Sequence, residues 1–154
     1  ASTHKAGARL SYLPLDLLKD DIPGRFDVIW YSNVLHIYSP EENLGVFRRA
    51  RAALSARGRL VIQDAFLHDR EGLYPEEASL FAVSMLLFTD TGNTYSVAET
   101  TAWLKTAGFA SVKPLRMIKG KEDWEGGILQ AVVPPTWPRR RAPRTRSAGS
   151  LRSR

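Results

Sequence analysis

His36 is the residue of this chain best suited to acid–base chemistry, because of its type and its position. It follows an apolar segment, residues 26–32, whose composition is typical of a parallel strand covered on both faces. In an open α/β sheet, ligands bind in the crevice at the carboxyl ends of the strands. Histidine is also the residue type whose ordinary pKa lies nearest neutrality. The sequence therefore predicts a general base at His36, with a packing or hydrogen-bonding role in the loop as the alternative.

The elements that must position His36 form one β-α-β unit over residues 26–66. Ser39 is a helix N-cap and Glu42 its capping-box partner, so a helix is predicted to begin there. Gly58 is predicted to end that helix, because glycine favours the helix C-terminus. The next strand is predicted over residues 59–66, and the crossover between the two strands should be right-handed.

Five more elements are predicted along the chain. Pro114 cannot donate to a strand ladder, so its strand should lie at a sheet edge. The segment 75–88 is predicted to be a helix that is apolar all round and therefore has to be covered. The others are a short strand over residues 9–13, a helix from the Ser96–Glu99 capping box to Gly108, and strands over 111–118 and 128–133 joined by turns over 119–127.

A family resemblance extends from Arg9 to Phe109. The residues that carry it are Leu15-Asp16-Leu17-Leu18, Phe26-Asp27-Val28-Ile29, Ser32-Asn33-Val34-Leu35-His36, Gly58-Arg59-Leu60-Val61-Ile62, and Thr94-Tyr95-Ser96 ahead of Ala107-Gly108-Phe109. In this order the segments resemble the later part of the catalytic domain of S-adenosylmethionine-dependent O-methyltransferases that act on plant phenolics, hydroxyindoles and bacterial polyketides. The resemblance implies an α/β fold: a partial Rossmann-like sheet, mostly parallel with one antiparallel strand near the C-terminus, lacking the first strands and their glycine-rich turn.

The same resemblance implies a catalytic pair. His36 takes the family's position for the base that removes a proton from the acceptor hydroxyl, and Asp64 takes the position of the carboxylate that orients it. The alternative for Asp64 is a bond to the backbone of the loop after its strand. Thr94 stands where plant members carry a second carboxylate, so the plant constellation is incomplete.

The implied cofactor is S-adenosylmethionine, and the implied acceptor is a small, hydroxylated, aromatic molecule. The alternatives are a methyltransferase that acts on nitrogen or carbon, and a non-catalytic α/β remnant or interaction module. Asp16 matches the acid beside the adenine, although Leu15 replaces a common glycine before it. The other residues assigned to the cofactor cleft are Leu17, Ser32 and Asn33. A substrate wall is predicted from the helical spacing of Phe81, Met85 and Phe88, for which an ordinary core stripe is the alternative.

Composition restricts the remaining functions. The 154 residues include no cysteine and three well-separated histidines, so we expect no metal site and an intracellular, cytoplasmic protein without membrane segments. The net charge of +6 arises from residues 135–154, which hold seven arginines and no acid. Residues 1–134 are predicted to be the partial catalytic domain, with residues 135–154 a disordered basic tail that is either a solvated extension or an electrostatic arm. Nucleic acid is therefore an unlikely partner, and the resemblance implies a homodimer for the full-length family.

Overall fold

The computed structural model describes residues 10–68, 73–115 and 127–135. Nine regular elements and one 3₁₀ turn, Leu35–Ile37, lie in these ranges. In chain order they are β1 (Phe26–Ser32), α1 (Pro40–Ala53), β2 (Leu54–Asp64), β3 (Phe66–Leu67), α2 (Glu76–Phe88), β4 (Tyr95–Ser96), α3 (Val97–Thr106), β5 (Ser111–Leu115) and β6 (Gly127–Val132).

Four strands form one sheet in the order β1-β2-β6-β5. β1 and β2 are parallel, whereas β6 is antiparallel to both of its neighbours, β2 and β5. Three strands therefore run one way and one runs the other, which confirms the predicted mixed α/β sheet. β5 lies at the edge, as Pro114 requires.

The core fills one face of this sheet, between the strands and the helices α1 and α3. Leu60 and Ile62 point from β2 into this layer, and Phe47 of α1 is fully buried opposite them. The edge of the Phe47 ring meets Tyr31 of β1, with ring centroids 6.0 Å apart. Leu104 of α3 completes the layer and is also fully buried. This packing fixes the direction of β1, and with it the place where β1 ends.

Both predicted capping boxes are present. The Ser39 hydroxyl accepts from the Glu42 amide at the start of α1, and the Glu42 carboxylate accepts from the Ser39 amide. Ser96 and Glu99 make the same reciprocal pair at α3. These side chains satisfy backbone donors that have no partner within the helix.

The end of α1 differs from the prediction. The helix stops at Ala53, because Leu54 already pairs with Phe26 of β1. The next pairing joins Val28 to Arg59, so four residues of β2 are accommodated where β1 has one. Gly58 lies in this irregular stretch, where a Cβ atom would come within 2.8 Å of the Ser55 carbonyl oxygen. Glycine is therefore required at position 58 because the chain packs closely there within β2, and not because the residue caps a helix.

One other expectation needs correction, and some expectations fall outside the described residues. Residues 10–13 form no strand. The described part of the chain leaves Leu80, Val83 and Leu87 of α2 exposed, so the expectation that this helix is covered stays a prediction. Arg9, residues 116–126, and the tail after residue 135 lie outside the described ranges, so the predictions made for them stay predictions.

Candidate active site

The turn that carries His36 begins at the carboxyl end of β1. Asn33 directly follows the strand and has a φ of 55°, a left-handed conformation that asparagine tolerates better than most residues. Its backbone amide donates to the Gln63 carbonyl of β2 at 2.9 Å. The chain therefore reverses sharply off the sheet, and the 3₁₀ turn Leu35–Ile37 places His36 above the strand ends.

Asn43 of α1 holds this turn from below. Its side-chain amide nitrogen donates to the carbonyl oxygens of Leu35 and Tyr38 at 2.9 Å and of Ser39 at 3.1 Å. Its amide oxygen accepts from the Tyr31 hydroxyl at 3.1 Å. Asn43 is fully buried, and sequence reasoning missed it because a polar residue in a helix does not reveal which carbonyls surround it.

Residues 89–95, here called the 89–95 loop, hold the same turn from above. The Asn93 amide donates to the His36 carbonyl at 3.0 Å, and the Tyr95 hydroxyl donates to the Tyr38 carbonyl at 2.7 Å. Gly92 lies so close that a Cβ atom there would overlap the His36 carbonyl oxygen. The backbone on both sides of the imidazole is thus fixed, by the helix that directly follows it and by a loop distant in sequence.

The His36 ring pairs with Asp64 at the end of β2. Nδ1 lies 2.7 Å from Asp64 Oδ1, and the two side chains are 13% and 1% exposed. Asp64 Oδ1 also accepts from the Ala65 amide at 2.8 Å, while Oδ2 has no partner in the described part of the chain. A carboxylate accepts only, so Nδ1 carries the proton when the ring is neutral. Nε2 is then left as an unprotonated acceptor.

A cavity of about 460 Å³ lies beside this pair. One wall is Phe81 of α2, whose ring meets the imidazole edge-on with centroids 4.9 Å apart. Apart from Ala65, the other lining residues are polar and lie at the strand ends and at the start of α2. The described residues that line it are Asn33, His36, Gln63, Asp64, Ala65, Glu77 and Phe81. The arrangement offers one basic nitrogen, one carboxylate that orients it, and an aromatic wall next to both.

The residues assigned to the substrate wall are placed differently from one another. Phe81 faces the cavity, whereas Met85 is buried and accepts, through its carbonyl, from the Thr89 hydroxyl at 2.7 Å. Phe88 is 82% exposed and does not line the cavity. Sequence reasoning missed Glu77, because a glutamate in the first turn of a helix has an ordinary explanation in the helix dipole.

The residues assigned to the cofactor fall into two groups. Asn33 lines the cavity. The Ser32 hydroxyl donates at 3.3 Å to the side-chain oxygen of Gln63, which also lines the cavity. Asp16 lies in a separate turn, where Lys19 holds its pKa below the usual value. The Leu17 carbonyl accepts from the Arg49 guanidinium at 2.6 Å. The structure therefore joins Ser32 and Asn33 to the His36 cavity but not Asp16 and Leu17.

Neither a metal centre nor a membrane-spanning helix occurs in the described ranges. Residues 10–68, 73–115 and 127–135 contain no group of three or more His, Cys, Asp or Glu side chains arranged to hold a metal ion. None of the helices in these ranges has the length and the apolar content needed to cross a bilayer.

Comparison with known proteins identifies the family of this chain. The family model described as the O-methyltransferase domain matches residues 1–110, most of the chain. This chain belongs to the O-methyltransferase domain family, so the family that the sequence resembled is confirmed.

Curated relatives extend over a similar part of the chain. This chain is 31% identical over 109 residues to the S-adenosyl-L-methionine-dependent methyl transferase PigF from Serratia. The alignment covers 70% of this chain and 31% of PigF. This chain is also 34% identical over 102 residues to the L-tyrosine C(3)-methyltransferase of Streptomyces lavendulae, an alignment that covers 66% of this chain and 28% of that relative. The 3-hydroxy-5-methyl-1-naphthoate 3-O-methyltransferase of Streptomyces sahachiroi is 29% identical over 108 residues, an alignment that covers 70% of this chain and 31% of that relative. The chain thus spans about a third of the length of these relatives.

The solved structure of PigF with SAH superimposes with a TM-score of 0.71 and 25% identity, over 83% of this chain and 36% of that one. The match supports the partial methyltransferase sheet. PigF depends on S-adenosylmethionine, which confirms at the level of the family the cofactor predicted from the sequence.

Proposed function

We propose that this chain is the part of an S-adenosylmethionine-dependent O-methyltransferase that deprotonates the acceptor, a hydroxyl on a small aromatic molecule. One observation carries the proposal, the 2.7 Å contact between His36 Nδ1 and Asp64 Oδ1 beside an aromatic-walled cavity. A hydroxyl oxygen is a weak nucleophile until it loses its proton, and a positioned general base typically contributes about 10²–10⁴ in rate.

The roles follow from the geometry of the pair. Asp64 accepts from Nδ1 and keeps Nε2 unprotonated, so Nε2 accepts the proton of the hydroxyl. As the imidazole becomes positively charged, the buried Asp64 carboxylate stabilises that charge. Phe81 orients the acceptor ring and limits the water beside the base. When bound, S-adenosylmethionine supplies the electrophilic methyl group.

The residues present fit the cofactor in part. Asn33 presents an amide to the cavity, with Ser32 beside it, and the Asp16 side chain is partly exposed. We propose that these residues and Leu17 hold the cofactor. The sequence has no glycine-rich turn of the kind the family places around the methionine end, so we expect residues 1–154 alone to bind S-adenosylhomocysteine more weakly than millimolar and not to turn over. Calorimetry that detected sub-millimolar binding by this chain would contradict that expectation.

A second candidate is methyl transfer to carbon, which the L-tyrosine C(3)-methyltransferase among the relatives favours. The same base is then needed, because loss of the phenol proton increases the electron density of the ring carbon ortho to the oxygen. After the methyl group is transferred to that carbon, its hydrogen leaves as a proton and the ring becomes aromatic again. A non-catalytic α/β remnant is the other alternative from the sequence, and it requires no phenol to contact His36. The homodimer, the cytoplasmic location and the disordered basic tail stay predictions of the sequence.

The test is an NMR titration of the 154-residue chain with tyrosol, a neutral phenol. We expect the imidazole nitrogen shifts to show the Nδ1–H tautomer, and tyrosol to perturb Nε2. In Asp64→Asn the new amide group can donate to Nδ1, which places the proton on Nε2 and removes the acceptor. Tyrosol should then no longer perturb Nε2, whereas Asp27→Asn, an exposed change on β1, should leave the response intact. A wild-type Nε2 signal that ignores tyrosol would refute the role of His36.

A further inference from the structure

Glu77 gives the cavity beside His36 a second carboxylate. Both Asp64 and Glu77 line it, and none of the described lining residues is a lysine or an arginine. Asp64 is buried and already occupied by His36 and the Ala65 amide. Glu77 is exposed, and no other side chain in the described part of the chain pairs with its carboxylate. One negative charge at the cavity is therefore free to contact a bound molecule.

The position of Glu77 relative to the base is set by α2. Phe81 follows Glu77 by four residues, so the two side chains lie on the same face of the helix, about 6 Å apart along its axis. Phe81 contacts the His36 ring edge-on. The Glu77 carboxylate therefore lies about one helical turn from the point where Phe81 meets the base. That spacing suits an acceptor with an aromatic ring and a short arm.

We propose that Glu77 determines acceptor specificity, so that the cavity favours a phenol whose short arm ends in a protonated amine and disfavours one whose arm ends in a carboxylate. This inference rests on the proposed function, because it places the phenol oxygen at His36. The charge of Glu77 attracts the ammonium group and repels a carboxylate, and the exposure of Glu77 keeps both effects modest.

The test uses three probes that share the phenol ring and arm length: tyramine (cationic), tyrosol (neutral) and 3-(4-hydroxyphenyl)propanoate (anionic). Dissociation constants come from NMR titrations of the 154-residue chain at low salt. We expect tyramine to bind roughly three- to tenfold more tightly than tyrosol, and the anion to bind more weakly by a similar factor. Raising the ionic strength from about 0.01 M to 0.3 M should reduce both differences, since the Debye length then falls well below the 30 Å of dilute salt.

The variant that tests the residue is Glu77→Gln, with Glu76→Gln as its matched control. Both changes remove one negative charge from the first turn of α2, but Glu76 does not line the cavity. Glu77→Gln should bring the three probes to similar affinities, whereas Glu76→Gln should preserve their order. Circular dichroism of both variants establishes that α2 is retained.

The outcomes separate the two proposals. If tyrosol perturbs His36 but the three probes bind equally, or if Glu76→Gln and Glu77→Gln behave alike, the specificity role of Glu77 is overturned and the proposed function stands. If no probe perturbs His36, the proposed function fails and this inference fails with it.

Discussion

Gly92 provides a direct test of how the His36 turn is held. A Cβ atom built on Gly92 would overlap the His36 carbonyl oxygen and the Thr89 hydroxyl, and would lie 3.1 Å from the Ile37 carbonyl oxygen. Two of the three neighbours are backbone atoms, which cannot rotate away. Since ordinary contact begins at 3.4 Å, we expect Gly92→Ala to displace the 89–95 loop from the His36 turn by on the order of 1 Å.

The size of the effect follows from what that displacement breaks. Overpacking of this kind typically destabilises a protein by about 1–3 kcal/mol. The hydrogen bond from the Asn93 amide to the His36 carbonyl, 3.0 Å long, is weakened at the same time, and such a bond is worth about 1 kcal/mol. We therefore expect Gly92→Ala to lower the free energy of unfolding by about 1–3 kcal/mol, measured by urea denaturation.

Gly45→Ala is the matched control. Gly45 lies inside α1, where a Cβ atom would meet only the flexible end of Arg49 at 3.5 Å or more. Alanine is favoured over glycine in a helix interior, so this variant should gain about 0.5–1 kcal/mol. The NMR signals of His36 should shift in Gly92→Ala and not in Gly45→Ala. If the two alanine variants were equally stable, with His36 unmoved in both, the proposed role of the 89–95 loop would be wrong.

Three other changes test the supports of the site. Asn43→Ala should lower the free energy of unfolding by about 2–3 kcal/mol in urea denaturation, because it leaves buried carbonyls and the Tyr31 hydroxyl without partners; a loss below about 0.5 kcal/mol would contradict this. Ser96→Ala should cost about 1 kcal/mol in the same assay by removing the N-cap of α3, and a neutral result would show that the capping box adds nothing. The Ser39 amide and then the Thr91 hydroxyl lower the pKa of Glu42, so its contribution to stability is present above the ordinary pKa of a glutamate and is lost as the pH falls through the lower folded value. Glu42→Gln should therefore flatten the acid limb of a stability–pH curve, and an unchanged limb would refute the assignment.

The sequence predicted best those features whose cause is local. The two capping boxes depend on residues three apart, and the edge position of β5 depends on the missing amide hydrogen of Pro114. The end of α1 was predicted wrongly because its cause is distant in sequence. Leu54 leaves the helix to pair with Phe26, which lies 28 residues earlier and carries no sign of that pairing.

The candidate site divides in the same way. His36 was found from its chemistry and its place at a strand end, and Asp64 from the family resemblance; the structure brings their side chains to 2.7 Å. Asn43 and Gly92 were not found, because neither carries a group that suggests chemistry. Their effect is on the backbone carbonyls around His36, and those contacts exist only after α1 and the 89–95 loop have packed on the turn.

Helix α2 couples the cavity to the base by two routes. The 89–95 loop begins at Thr89, whose amide and hydroxyl both bond to the Met85 carbonyl at the end of α2. The same helix presents Phe81 and Glu77 to the cavity. A movement of α2 therefore acts on His36 twice, through the Phe81 ring and through the loop that holds the His36 carbonyl. The apolar face of α2 stays exposed in the described part of the chain, so a molecule that packed on that face would act on the base through this helix.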